Sequence, residues 1–560
     1  MKKLSQTIQA AVFTVLLGAP YAWSQVVSAD LQKAMLSSGM EFQTNSISSD
    51  GKTGTTSSSL IKVIVQYKTP PTTTQFQQAT NLGGTLLTQY GAVNAAHYGL
   101  PKSAVTALAA DPNVLYMSLD RPVKGTMDVT AAAVHSDLAN ASGYDGTGIG
   151  VAVIDSGILD RSDFAGWSGS RIIYSKTFVG GTATDQFGHG THVAGIIAAS
   201  GKPSKYKGIA PNANLINFRV LDQNGASTDS AVIAAIDQAI QLSYSWRYNV
   251  RVINLSLGRP VFEPAALDPL CQAVERAWKA GIVVVVAAGN NGRDNSVGEN
   301  GYGTISSPAN DPYVITVGAM KAMASKSRSD DAIASYSSKG PTLLDHYVKP
   351  DLVAPGNLVV STLPPGLTIS NGYPQNAVTG GYFTLSGTSM AAPVVSGAAA
   401  LLLQQNSRMT PDQVKARLMA TATKTFPSFT TAFDSATGLA YTSYYDTFTV
   451  GAGYLDITAA LNNKDLASGS AASPYVTFDQ TSHTLAVHNV SGTNAIWGSN
   501  VIWGSNAIWG SNVIWGSNVI WGSNVIWGSN VIWGSNVIWG SNVIWGSSMP
   551  TPDLSINKEK

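Results

Sequence analysis

Four consecutive valines, Val283-Val284-Val285-Val286, lie within the apolar run 281–288 and constrain the fold more than any other feature of the chain. A run with no polar alternation fits a strand covered on both faces, because a half-solvated strand alternates apolar and polar residues. Residues 148–155, a strand with a polar end, and 215–220 and 252–256 are further strand candidates, and the helical patterns 230–242 and 267–280 lie among them. Strand, helix and strand at this spacing predict an α/β region built on a parallel sheet with helices on both sides. Polar residues gather just past the strand ends, where open sheets of this class place their sites. Hydrophobic residues make up 44% of the chain and charged residues 12%, enough for a large core. The formal net charge of +1 gives no global attraction to nucleic acid or to an anionic membrane. At 560 residues two to four units are expected.

The N-terminal segment has the pattern of a targeting signal. Lys2 and Lys3 precede a mostly apolar stretch, 10–19, and Ala22 and Ser24 put small residues at −3 and −1 of a cut after Ser24. The apolar stretch is short of the roughly 20 residues needed to span a bilayer, so a removed signal peptide is favoured over an anchor. No later segment has the length and apolarity of a spanning helix. Residues 25–59 are rich in Ser, Thr and Gly and suggest a flexible leader. From Leu60 a small α+β unit is expected, with strands at 61–67, 92–100 and 114–118 and helices at 75–82 and 102–110. Cys271 is the only cysteine, so no intrachain disulfide forms, and its helical context suits a buried small apolar residue better than a nucleophile.

Three segments each set a reactive side chain among small residues. Asp155 ends an apolar strand and precedes Ser156-Gly157. His189 lies in Gly188-His189-Gly190-Thr191-His192-Val193-Ala194-Gly195, which begins a helix. Ser389 lies in Ser386-Gly387-Thr388-Ser389-Met390-Ala391-Ala392-Pro393, ahead of an alanine-rich helix. Peptide hydrolysis by serine needs a hydroxyl that attacks, an imidazole that moves its proton, and a carboxylate that fixes the imidazole. Taken alone, each residue has a blander reading: a helix cap, a turn histidine, an N-cap serine. Their joint occurrence favours chemistry. His192 suits packing better than a second base.

The order Asp, His, Ser with these flanking segments resembles the subtilisin-like (subtilase, peptidase S8) serine proteases over residues 130–462. The resemblance implies that Asp155 orients, His189 acts as base then acid, and Ser389 is the nucleophile. It also implies that Asn290, in Ala287-Ala288-Gly289-Asn290-Asn291-Gly292, stabilises the oxyanion. Ser256-Leu257-Gly258 and Ala288-Gly289 resemble the two walls of the substrate pocket. Being uncharged, they point to an apolar or aromatic residue before the scissile bond. Ser335-Tyr336-Ser337-Ser338-Lys339-Gly340-Pro341 and Lys349-Pro350-Asp351-Leu352-Val353-Ala354-Pro355-Gly356 match family segments whose Pro and Gly are expected to fix turns. No cofactor is required for the chemistry and no metal-ligand set is assigned. Many family members hold calcium in a loop after the His-bearing helix. Here that stretch, Gly201-Lys202-Pro203-Ser204-Lys205-Tyr206-Lys207-Gly208, carries three lysines and offers no carboxylate, so structural calcium is unsupported.

The unit 60–123 resembles the family's inhibitor propeptide through Leu100-Pro101-Lys102-Ser103-Ala104-Val105 and Ser118-Leu119-Asp120-Arg121-Pro122-Val123. That implies a self-processed zymogen cut between Lys124 and Thr130. Further on, tryptophan recurs every six residues from Trp497 to Trp545, nine times, within Asn-Val-Ile-Trp-Gly-Ser units. Extended strands, a β-helix-like stack, short strands joined by turns, and a disordered adhesive tail all remain open for it. The expected architecture is α/β: a subtilisin-like parallel sheet flanked by helices, preceded by a small α+β propeptide domain and followed by a hexapeptide-repeat tail. The expected divisions are a signal peptide (1–24), a propeptide (25–125), a catalytic domain (126–465), a linker (466–493), repeats (494–547) and a polar tail (548–560). The implied function is a secreted or extracytoplasmic serine endopeptidase acting on proteins or peptides and inhibited by its own propeptide. It needs no nucleic acid and no transmembrane segment, and surface attachment or self-association through the repeats stays open. The rival is a surface-binding protein that uses a protease-like fold as scaffold.

Overall fold

The computed structural model describes residues 26–488 apart from 37–42, 48–52, 58–59, 92, 121, 126–129, 132, 168, 203–205, 297–299, 323–327, 329, 435–438 and 480–483. The expected signal peptide, the repeats and the polar tail lie outside the described residues. The chain divides into two compact units, 1–121 with 262–272 and 122–261 with 273–560. Among the described residues no helix is long and apolar enough to cross a membrane.

The smaller unit is an antiparallel four-stranded sheet in the order Thr85–Tyr90, Ala95–Leu100, Ile61–Tyr67, Val114–Leu119. Helices Thr73–Asn81 and Lys102–Ala109 supply Ala79, Ala104, Val105 and Leu108 to a core with Val63, Val65, Tyr98 and Leu100. The strand Thr85–Tyr90 has no counterpart in the sequence reading. It lies at the sheet edge with five of its six residues exposed, so no buried face imposes an apolar alternation. Part of the expected leader is also built in, since Val27, just before the helix Ala29–Leu36, and Leu31, on it, are buried in the same core.

The larger unit is organised by one sheet with the order Ile172–Thr177, Asn214–Arg219, Gly150–Asp155, Val250–Leu255, Val283–Ala287, Ile315–Lys321, Leu352–Thr362. These seven are parallel throughout, and Tyr382–Leu385 adds antiparallel at the far side. The four valines lie fully buried in the middle of the sheet. After Gly150–Asp155 the chain goes to the edge strand Ile172–Thr177, fills in Asn214–Arg219 on that side, and then crosses to place Val250–Leu255 on the other. The strand order therefore reverses between these two strands, and loops that part at such a point leave a crevice at the strands' C-terminal ends. Asp155 closes the first strand, and Ser256 follows the second.

The helix Thr388–Gln405 is buried on all sides from Thr388 to Leu403. It packs against Val250–Leu255, Val283–Ala287, Ile315–Lys321 and Leu352–Thr362, and against the helix His189–Ala198. Its run of alanines, with Gly397 and Ser396, keeps it narrow enough for that position. One expected turn is something else. Pro355-Gly356 lies inside the eleven-residue strand Leu352–Thr362, and the register with Ile315–Lys321 shifts there. A bulge tolerates a proline that a regular central ladder would exclude. Part of the expected linker is also integrated: the Ser473 amide donates to Pro312 O, the Val348 amide donates to Pro474 O, and Tyr475–Asp479 pairs with Thr484–His488.

Candidate active site

Asp155 and His189 meet at the crevice. His189 Nδ1 lies 2.8 Å from Asp155 Oδ1 and 3.0 Å from Oδ2, with both side chains fully buried. The backbone N–H of Ser156 also donates to Asp155 Oδ1, at 2.7 Å. An imidazole so held has its Nδ1–H directed at the carboxylate, which leaves Nε2 as the basic nitrogen. The pair can approach because residue 190 is glycine. A Cβ there would lie 2.2 Å from Gly157 O and 3.1 Å from Asp155 Cβ. His192, one turn along, is fully buried with Nε2 on the carbonyls of Val359 and Phe383, and burial pushes its pKa down to about 3. It packs as a neutral ring, as the sequence suggested.

Ser389 is the second residue of the buried helix, and its placement follows from a proline. In a regular helix the N–H of residue 393 would donate to the carbonyl of Ser389, but Pro393 has none. Ser256 Oγ donates to that carbonyl instead, at 2.8 Å, and the Ser389 hydroxyl donates to Ser256 O at 3.3 Å. Asn254 extends the attachment: its amide donates to Ser256 Oγ at 3.0 Å, and its oxygen accepts from Ser396 Oγ at 2.8 Å. The helix start is thus fastened to the end of strand Val250–Leu255, next to the strand that carries Asp155.

Asn290 lies beyond Val283–Ala287. Its side-chain oxygen accepts from both the backbone N–H and the hydroxyl of Thr388, each at 3.0 Å. That arrangement leaves the Asn290 NH2 group as the donor end, beside the first N–H groups of the Ser389 helix, where developing negative charge is favoured. Ser256-Leu257-Gly258 and Ala288-Gly289 stand on neighbouring strand ends, and residues 305–307 bridge them. Ser306 binds Ala288 O through both its N–H and its hydroxyl, and Ser307 exchanges two backbone hydrogen bonds with Arg259. A Cβ on Gly258 would come within 2.7 Å of Ser306 Oγ, and one on Gly289 within 3.3 Å. Ser306 therefore lies between the two segments. The sequence reading missed it, since nothing local distinguishes that serine, and it missed Thr388, whose only signal is adjacency to Ser389.

Calcium after the His189 helix does not fit the residues present. The guanidinium of Arg171 donates to the carbonyls of Ala198, Ala213 and Asp163 at 2.6, 2.8 and 3.2 Å. A fixed cation thus lies at the C-terminal end of the His189 helix.

A profile described as the subtilase family matches residues 146–440, more than half of the chain. The chain belongs to the subtilase family. Serine protease AprX of Bacillus subtilis (strain 168) is 37% identical over 376 residues, covering 63% of this chain and 81% of AprX. Subtilisin E of the same strain is 37% identical over 356 residues, covering 62% of this chain and 80% of subtilisin E. The structure of fervidolysin from Fervidobacterium pennivorans superposes with a TM-score of 0.56 at 22% identity, over 73% of this chain and 62% of fervidolysin, a likeness of fold. The subtilase chain described here is accordingly a serine endopeptidase with the subtilisin-like α/β fold, its central sheet mostly parallel.

Proposed function

We propose that this subtilase hydrolyses proteins outside the cytoplasm through an acyl-enzyme, with Ser389 attacking, His189 as base then acid, Asp155 orienting the ring and Asn290 stabilising the oxyanion. The observation that carries this reading is the 2.8 Å contact between Asp155 and His189, set beside a serine-headed helix fastened to the next strand end. The N–H of Ser389 and the amide of Asn290 supply donors from two directions. The lysine-led, apolar N-terminus supports export.

The same reading makes the chain a precursor that cuts itself. Within the larger unit the strand Pro122–Gly125 lies between Ala226–Thr228 and Leu257–Gly258, antiparallel to both. Its register sets Gly125 opposite Leu257 and Lys124 opposite Gly258, so the pocket wall already pairs with an extended backbone, as it would with substrate. Gly125 is one residue short of facing Ser256, a register that supports a cut between Lys124 and Thr130, although residues 126–129 lie outside the described residues. Purified chain should hydrolyse casein, lose that activity to a serine-directed fluorophosphonate, and yield a mature N-terminus within 125–130 on terminal sequencing. Inhibitor-resistant hydrolysis, or a start elsewhere, would count against the reading.

Between two uncharged walls, the pocket accepts an apolar or aromatic residue before the scissile bond. Gly258→Ala sets a methyl against Ser306 and narrows the gap. The expected result is a loss of about 10-fold in kcat/KM for a peptide with phenylalanine at that position relative to one with alanine. Paired chromogenic peptides read the ratio directly.

A further inference from the structure

Asp185 takes no part in the mechanism above, yet its carboxylate is fully buried four residues before His189. Five donors converge on it. Oδ1 accepts from Ser156 Oγ at 2.8 Å, from the Phe187 N–H at 3.0 Å and from the Gly188 N–H at 2.7 Å. Oδ2 accepts from the Thr191 N–H at 2.9 Å and from the Thr191 hydroxyl at 2.6 Å. Three of the five are backbone N–H groups, which can only donate, so the site is built for an acceptor. Burial pushes the carboxyl above its usual range, while the hydrogen bonds from Thr191, Gly188 and Ser156 pull the other way.

The arrangement makes up for a missing cap. The residue ahead of the His189 helix is Gly188, with φ 108°, and it has no side chain to satisfy the helix's first N–H groups. Asp185 binds the Thr191 N–H, and Ser156 Oγ, itself held by Asp185, accepts the Gly190 N–H at 2.9 Å. From the other side the Ser156 N–H donates to Asp155 Oδ1, and Thr191 Oγ1 accepts from the Leu159 N–H at 3.0 Å. One carboxylate therefore ties the segment that begins with Asp155 to the helix turn that begins with His189.

We propose that Asp185 is a positioning residue that sets the distance and angle between Asp155 and His189, acting through Ser156 and the first turn of the helix. The inference rests on the triad reading above. Displacement of reacting groups by about 1 Å can cost around 100-fold in rate, whereas the substrate walls on other strands are untouched by Asp185. The expected signature is in kcat and not in KM.

The test uses purified full chain, with active sites counted by stoichiometric fluorophosphonate labelling. Asp185→Asn sets an amide NH2 against groups that are themselves donors. Ser156→Ala removes the hydroxyl that joins Asp185 to the Gly190 N–H and to the Ser156 segment, while the Ser156 N–H still donates to Asp155 and the backbone hydrogen bonds to Asp185 stay in place, so it decides the matter should Asp185→Asn fail to fold. Both variants should lose about 10–100-fold in kcat per labelled site with KM within about threefold of wild type. A merely structural role would lower the labelled fraction and leave kcat per labelled site within about twofold of wild type, and that result would overturn the proposal. Ser389→Ala, assayed alongside, separates the two levels. If it keeps wild-type turnover, the triad reading fails and takes this inference with it. If it is inactive while both other variants keep wild-type kcat, only the inference fails.

Discussion

Alanine in place of Ser389 is expected to lower kcat for a chromogenic peptide by about 10⁶-fold, the scale known for subtilisin itself, and to leave the precursor uncut. The reason is geometric. The Ser389 hydroxyl lies at the head of a helix whose first carbonyl is held by Ser256, beside the strand that brings Asp155 to His189. Without the hydroxyl the imidazole has no nucleophile to activate, so His189→Ala added to Ser389→Ala should cost almost nothing more. Residues that act as one unit are strongly non-additive. What remains should be the contribution of Asn290 and the substrate walls, about 10³–10⁴-fold over water. Single and double variants measured with one substrate at saturation make the comparison, and intact mass shows whether residues up to 125 are still attached. A double variant another 10³-fold slower than Ser389→Ala would mean that His189 serves some reaction not led by Ser389.

How much of this was legible in the sequence depends on how local each determinant is. The four valines and the other apolar runs announced a parallel sheet because both faces of those strands are covered, and that requirement is written on the strand itself. The approach of Asp155 to His189 was legible because small residues flank both, and Gly190 leaves room beside Asp155. The placement of Ser306 was not, since it lies between Gly258 and Gly289, which are distant from each other in sequence. Asp185 had a signal, an aspartate shortly before a helix that starts after a glycine, but capping from four residues upstream is an unusual reach. The segment Lys349-Pro350-Asp351 looked like a turn. Its partners come from residues 312–316, 415 and 473, which no local pattern connects.

That segment carries the second large effect expected. Asp351 is buried with two lysines: Lys349 Nζ lies 2.7 Å from Oδ2 and Lys415 Nζ 3.0 Å from Oδ1, all three side chains fully excluded from solvent. Ser473 Oγ and the Thr316 N–H complete the carboxylate's shell, and the lysines reach the carbonyls of Pro312, Tyr313 and Val314. Burial alone would raise the Asp351 carboxyl, but Lys349 and then Lys415 outweigh it and hold the group below the usual carboxylate range. Burial lowers Lys415 to about 7 even beside Asp351, so below that pH Asp351→Asn leaves two buried ammonium groups without their counter-charge, and the larger unit should lose about 3–5 kcal/mol of stability. Lys415→Met in the same chain should recover part of that loss by removing one of the stranded charges. The comparison is made by guanidinium unfolding in a Ser389→Ala background, where self-digestion does not interfere. The pH dependence has a definite sign. A carboxylate with a depressed folded pKa contributes its stability above the unfolded value, about 3.9, and loses it as pH falls through the folded value below that. Wild type and Asp351→Asn should therefore differ most at about pH 5–6, where the carboxylate is ionised and Lys415, lowered to about 7, is still charged, and converge in stronger acid. A difference that stayed constant down to pH 2 would mean that shape, and not charge, is what Asp351 supplies.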